Sequence, residues 1–195
     1  MGIVFDHLYK LSKRKHIGIF INFFGYLYLS FWNHIFNKIP SYYIRYFICK
    51  YLYGLKIGRS NIHFNVKFFS PWNIEIGDNV NIQMNCLLDG RGGLIIGNNV
   101  DITIGVKIFT EQHDMQSSVY ETVPKKVVIG DNVVIGSFAL ILPGVTLAEG
   151  AVLGAGSVLA KDIPEYSIFV GNPAAFIKSR NRDIKYKLNF KRYFH

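Results

Sequence analysis

With 195 residues the chain is long enough for one real core, and 22 Lys and Arg against 13 Asp and Glu leave a formal charge of +9. That surplus points to an anionic partner: nucleic acid, a membrane surface or a polyphosphate cofactor. Two cysteines, Cys49 and Cys86, exclude a disulfide framework and make a reducing compartment the default.

Residues 1–54 form an amino-terminal helical segment. From His16 to Asn37 there is no Asp, Glu, Lys or Arg, while Lys13, Arg14 and Lys15 precede the stretch and Lys38 follows it. No small-x-small cleavage site follows the apolar run, which speaks against a secretory signal. A full span needs about 20 predominantly apolar residues, and Asn22, Ser30, Asn33, His34 and Asn37 interrupt this one. At about 100° per residue, Asn22, Tyr26, Ser30, Asn33 and Asn37 share a narrow polar stripe. Such a helix suits a bilayer interface, the basic cluster meeting anionic headgroups. Packing of its apolar face on the rest of the chain or on a neighbouring subunit is the competing reading, and a short span is the third. A second helix is expected from near Pro40 to just before Gly54, with Arg45 and Lys50 as surface cations.

Residues 55–170 are organised in sixes. The pattern is clearest from Ile129, reading IGDNVV, IGSFAL, ILPGVT, LAEGAV, LGAGSV, LAKDIP. Each hexad starts on an aliphatic residue, with a small or β-branched residue four places on and Gly, Asp, Asn or Pro nearby. A helix repeats every three to four residues and a free strand every two, so neither fits. Offsets of zero and four share a parity, so both residues face one side of a pleated strand, and Gly, Asp and Asn tolerate the dihedrals of a corner. Three hexads close a triangular coil, and stacked coils bury an aliphatic column. Cys86 falls in a small-residue slot, which reads as buried filler.

The sixes start at Ile57, lapse through Lys67–Asn73 and resume at Ile76 and Ile96. Two extra residues lie near the run from Asp89 to Gly93. After Ile108 the pattern breaks again, and loop 109–126 carries His113 and Asp114. Loops that leave a rigid scaffold are where functional residues sit. Residues 171–195 form a basic carboxy-terminal cap, with Lys178, Arg180, Arg182, Lys185, Lys187, Lys191 and Arg192 against a single Asp183.

Taken in order, the hexads, the His-bearing loop after IGNNV, the run IGDNVVIGSFALILPGVTL, and the closing GAGSVLAKDIP and GNPAAFIKSR resemble the hexapeptide-repeat acyltransferases over residues 57–180. The galactoside and maltose acetyltransferases and the polysaccharide O-acetyltransferases are the most similar in appearance. The resemblance implies a mainly β chain built on a left-handed parallel β-helix of hexapeptide repeats, with a carboxy-terminal helix capping the last coil. It also implies a homotrimer with an acyl-CoA site between subunits. The left hand departs from the usual preference of parallel crossovers.

By the same resemblance His113 is the catalytic base that takes a proton from the acceptor hydroxyl. A carboxylate or carbonyl must orient it, and Asp89 ranks first, ahead of Glu111 and Asp114. The acceptor-binding amide falls on Gln83, with Asn85 two places later on the same side. Many relatives carry Trp where this chain has Val134, so a stacking wall is missing or supplied elsewhere. Ser137, Ala155 and Ala160 would let the pantetheine arm lie along the rod, and Lys161, Lys178 and Arg180 would meet the phosphates.

The expected activity is O-acetylation, acetyl passing from acetyl-CoA as co-substrate to a sugar hydroxyl of a cell-surface polysaccharide or lipid-linked precursor. No metal is expected, since His7, His16, His34, His63, His113 and His195 form no clustered trio for catalytic zinc. No nucleic-acid module is recognisable. The expected location is cytoplasmic, with peripheral contact at the inner face of the cell membrane. N-acetylation of an amino-sugar nucleotide on the same scaffold and a non-enzymatic polysaccharide-binding rod are the alternatives.

Overall fold

The sixes wind into coils. In the computed structural model, which describes residues 15–188 and side chains from residue 23 onward, coils span 56–69, 74–89, 94–108, 127–141 and 146–159. Each gives one short strand to each of three parallel sheets. The aliphatic hexad starts pair in register up the rod: Ile57 with Ile76, Ile76 with Ile96, Ile96 with Ile129, and Ile129 with Leu147. Ile62, Ile82, Ile102, Ile135 and Leu153 form the second column, and Phe68, Leu88, Ile108, Ile141 and Leu159 the third. All ten are at most 1% exposed. Removing one such side chain from water contributes about 1.5–3 kcal/mol. The residue four places on is also buried, as at Val80, Val100 and Val133, and Cys86 fills its slot at 1% exposure.

Corners explain the Asn and Gly letters. Asn65, Asn85, Gly105, Phe138 and Gly156 stack at one edge with positive φ, and Asn79, Asn99, Asn132, Gly150 and Tyr166 do so at another. Asn visits the left-handed region at less cost than most residues, and Gly without penalty.

Helix α1 (Lys15–His34) and helix α2 (Tyr42–Phe47), which continues as a π turn through Ile48–Leu52, sit against the first coil. Of the expected polar stripe, Asn33 and Asn37 turn inward to the rod, while Tyr26 and Ser30 stay exposed and the side chain of Asn22 lies outside the described residues. Asn33 donates to Phe68 O at 2.9 Å and accepts from Phe68 N–H at 3.0 Å, and Trp32 Nε1 donates to Val66 O at 3.1 Å. Asn37, fully buried, donates to Val66 O at 3.3 Å. From α2, Tyr42 OH donates to Ser60 O at 2.9 Å and Arg45 Nη2 to Ile62 O at 3.1 Å. An open coil edge carries unpaired carbonyls, and these side chains satisfy them. Arg45 is therefore not a surface cation; burial lowers its pKa. Lys13, Arg14 and the side chain of Lys15 lie outside the described residues, as do Lys191 and Arg192.

The carboxy-terminal end departs from expectation. No helix forms among the described residues there. Ala174–Ser179 is a strand, antiparallel to Ser167–Gly171, which itself pairs in parallel with Val152–Leu153. The last coil leaves a sheet edge open, and a returning strand satisfies its backbone where a helix would not. Beyond it the chain runs back down the rod as a strap. Arg180 Nη1 donates to Asn132 O at 2.7 Å and Gly150 O at 2.9 Å, and Leu188 N–H to Asn99 Oδ1 at 2.8 Å.

Candidate active site at a broken coil

The interruption after the third coil is a hairpin, Glu111–His113 against Thr122–Pro124, with His113 opposite Thr122. Its root is held by a buried carboxylate. Asp89, 0% exposed, accepts on Oδ1 from the N–H and Nε of Arg91 at 2.9 and 3.0 Å. Its Oδ2 accepts from Arg91 Nη2 at 2.9 Å and from Thr110 N–H at 3.1 Å. Arg91 Nη1 reaches on to Glu111 Oε1 at 2.8 Å, and its guanidinium lies 5.1 Å from the Phe69 ring centroid. The hydrogen bond to Asp89 is the largest influence raising the Arg91 pKa. Gly92 completes the joint: a Cβ there would stand 2.1 Å from Thr110 O, so no other residue permits that approach. The two extra residues of the bulge thus exist to anchor the loop.

His113 is exposed at the end of its strand. Its Nδ1 lies 2.9 Å from Tyr120 O, and its ring stacks on the Tyr120 ring with centroids 4.1 Å apart. A carbonyl oxygen only accepts, so Nδ1 carries the proton and Nε2 keeps its lone pair. None of the three candidate carboxylates orients the imidazole. Asp89 is saturated by Arg91 and Thr110, and Glu111 is engaged by Arg91. Asp114 closes its own turn, accepting from Gln116 N–H at 2.8 Å. The orienting group is a backbone oxygen in the left-handed residue Tyr120, φ 50°.

The remaining candidates fall in separate places. Gln83, Asn85, Ser137 and Ala155 line the corner that carries Asn65 and Phe138, whereas Asp89, Ala160, Lys161 and the His113 hairpin share the next corner round the rod. Gln83 Nε2 donates to Asp101 Oδ1 at 3.3 Å, and Ser137 Oγ donates to Thr103 Oγ1 at 3.2 Å. Asn85 is itself a left-handed corner, φ 63°, accepting from Asn65 Nδ2 at 2.8 Å. Between the two corners lies an open groove of about 310 Å³ lined by Asn65, Lys67, Asn85, Leu87, Lys107 and Phe109. Lys161 and Lys178 are exposed, but Arg180 is committed to the strap. Sequence reasoning missed Arg91, Tyr120 and Phe138. The last is 70% exposed in a slot that elsewhere holds Asn or Gly, and such a residue is a readable signal. Among the described residues no three His, Cys, Asp or Glu side chains lie together as a metal site.

The family model "Bacterial transferase hexapeptide (six repeats)" matches residues 126–161. Galactoside O-acetyltransferase of Escherichia coli (strain K12) is 34% identical over 128 residues, 65% of this chain and 59% of that protein. Staphylococcus aureus relatives 35% identical are likewise spanned over 65% of their length. A galactoside acetyltransferase in complex with coenzyme A superposes with a TM-score of 0.72 at 31% identity, covering 88% of this chain and 86% of that one. A hexapeptide-repeat acetyltransferase from Vibrio cholerae O1 biovar eltor, complexed with acetyl coenzyme A, gives a TM-score of 0.71 at 28% identity, covering 80% and 85%.

Proposed function

We infer that this chain, which belongs to the hexapeptide-repeat acyltransferase family, moves an acetyl group from acetyl-CoA to a hydroxyl of a sugar. The observation that carries the reading is the exposed His113 imidazole, its Nδ1 tied to Tyr120 O so that Nε2 is left as the basic atom. Nε2 takes the proton of the acceptor hydroxyl as that oxygen attacks the thioester carbonyl. The tetrahedral intermediate then expels the CoA thiolate, which the imidazolium protonates on departure. Similarity to a galactoside O-acetyltransferase supports a sugar hydroxyl as acceptor, and the coenzyme A complexes of the structural neighbours support the donor. The acceptor on this reading is a polysaccharide building block or its lipid-linked precursor, met at the inner face of the membrane.

Ser137 and Ala155 offer small surfaces to the pantetheine arm, with the Phe138 ring beside them, and Lys161 and Lys178 offer donors to the phosphates. Ser137, Phe138 and Ala155 sit at a different corner from His113, separated by one hexad, roughly 20 Å at about 3.3 Å per residue. A neighbouring subunit is what brings one corner to the other, as a homotrimer does. The hairpin tip supports that arrangement, since Met115 and Val119 are each 75% exposed and suit a protein surface. The decisive experiment incubates candidate glycans with acetyl-CoA and follows a single-acetyl mass shift. Loss of the shift with His113→Ala is expected; an equal yield from the variant removes His113 from the mechanism.

A further inference from the structure

The helical cap packs one side on the rod, and the side left outside is mostly apolar, with Ser30 and His34 the exposed polar residues of α1 beside the 74%-exposed Tyr26. Phe23, Phe24, Leu27 and Phe31 of α1 are 42–61% exposed, although Trp32, Asn33 and Asn37 on the opposite side are engaged with the first coil. From the second helical stretch Tyr43, Phe47 and Tyr51 are 58–60% exposed. The two stretches are pinned together: Tyr28 stacks on Tyr53 at 4.2 Å, Tyr53 OH donates to Tyr28 O at 2.7 Å, and Tyr28 OH donates to Leu52 O. The inner side is apolar as well, Trp32 lying in the core with Tyr28 and Leu29 packed against it, whereas an ordinary amphipathic helix turns a polar face to water. Rod packing therefore does not account for this face.

Charge identifies what covers it. Between Asp6 and Glu75 the sequence has no carboxylate side chain, yet Lys and Arg flank the uncharged run from His16 to Asn37 on both sides. Lys38 is exposed where α1 ends, and Lys50 Nζ sits 5.5 and 5.8 Å from the Tyr46 and Tyr51 rings at the margin of the apolar face. A second copy would bring cations against cations with no acid in either helix to meet them. An anionic bilayer surface meets both needs, taking the aromatic side chains into the headgroup layer and the lysines onto lipid phosphates. No described helix is long and apolar enough to cross a membrane, so contact lies along the surface. We propose that the outer face of α1 and of residues 42–52 docks the protein on an anionic lipid bilayer. This goes beyond the transferase reading and stands without it.

Flotation of the full chain with vesicles of phosphatidylcholine alone, or of equal parts phosphatidylcholine and phosphatidylglycerol, tests it. The wild-type chain is expected to float with the anionic vesicles at least about tenfold more than with neutral ones, and to be released by high salt. Phe24→Ser with Phe47→Ser, and separately Lys38→Glu with Lys50→Glu, should each weaken flotation about tenfold or more. Acetyl transfer to a water-soluble acceptor should stay unchanged, which separates this proposal from the active-site reading. Wild-type chain that ignores both vesicle types overturns the proposal whatever the variants do. So does a wild-type oligomer that the Phe24→Ser, Phe47→Ser variant dissolves in sedimentation without lipid, because a second copy would then own the face. Equal binding to neutral and anionic vesicles overturns the electrostatic half.

Discussion

The imidazole of His113 lies 9° from parallel with the ring of Tyr120, and its Nδ1 shares a 2.9 Å hydrogen bond with the carbonyl oxygen of that same residue. One residue thus fixes both the plane and the tautomer of the proposed base. His113→Ala should lower turnover by about two to four decades. Tyr120→Phe keeps the ring and the carbonyl and should stay within about twofold of wild type. Tyr120→Gly suits the left-handed backbone but removes the stack, so turnover should fall roughly tenfold while the fold survives. Steady-state rates with acetyl-CoA at saturation check the order; a Tyr120→Phe variant as poor as Tyr120→Gly would contradict it.

Arg91 joins the bulged coil to the hairpin by holding the carboxylates of Asp89 and Glu111 at once. Arg91→Ala strands a fully buried Asp89 charge, which should cost about 3 kcal/mol, the low end for breaking a buried pair, because the Arg91 side chain is 38% exposed. Asp89→Asn should destabilise too, since the amide oxygen keeps one pair of donors while its NH2 faces the other pair. The check is a thermal melt together with kcat. Arg91→Ala should lower both, and Arg91→Lys should recover stability only in part, because a point charge cannot span two carboxylates.

The cations near the carboxy terminus divide by role. Arg180 donates to carbonyls in two successive coils, so Arg180→Ala should destabilise by about 1.5–3 kcal/mol. Lys161 and Lys178 are exposed. Their replacement by Ala should leave the melting temperature within about a degree, as expected for surface sites. Each should raise KM for acetyl-CoA about two- to tenfold through loss of a charge-assisted contact. Unchanged KM in the double variant would remove both from the donor site.

How much of this was legible follows from where the chemistry is written. The rod could be read because its determinants are side chains at fixed spacing: Ile76, Ile96 and Ile129 stack in register just as the sixes require. The loop and the His113 position could be read because they interrupt that spacing. The group that orients His113 could not, since a backbone oxygen is shared by every residue and only the left-handed φ of Tyr120 aims it. Asp89 attracted attention for the right place and the wrong partner; Arg91, two residues on, consumes it. The polar stripe of α1 was visible, but an open coil edge that needs Asn33 and Asn37 appears only once the rod is built. The carboxy-terminal strand was hidden for the same reason, its cause being a sheet edge that exists only once Ser167–Gly171 has paired with Val152–Leu153.

Alkali should loosen the helical cap before the neutral range has any effect. Burial pushes the Cys86 thiol up to about 12 and the Cys49 thiol well above its usual value. Burial likewise pushes the Tyr42 phenol up to about 12 and raises those of Tyr28 and Tyr53. In the unfolded chain thiols ionise near about 8.5 and phenols near about 10. Above those values the unfolded state releases protons that the folded state retains, so the stabilisation these groups supply is complete below about pH 8 and falls away between about pH 9 and 12. The melting temperature should therefore be insensitive to these groups from pH 7 to 8, values on the flat side of that window, and decline steadily beyond pH 9. Four of the five groups, all but Cys86, lie in the cap, so helical circular dichroism should fall before the β signal does. The thiols supply an independent check. Ellman's reagent should find neither Cys49 nor Cys86 in the native protein at pH 8 and both after urea unfolding, both being buried at 1% exposure. Rapid native labelling of either would contradict the packing of that cysteine and the alkaline limb that rests on it.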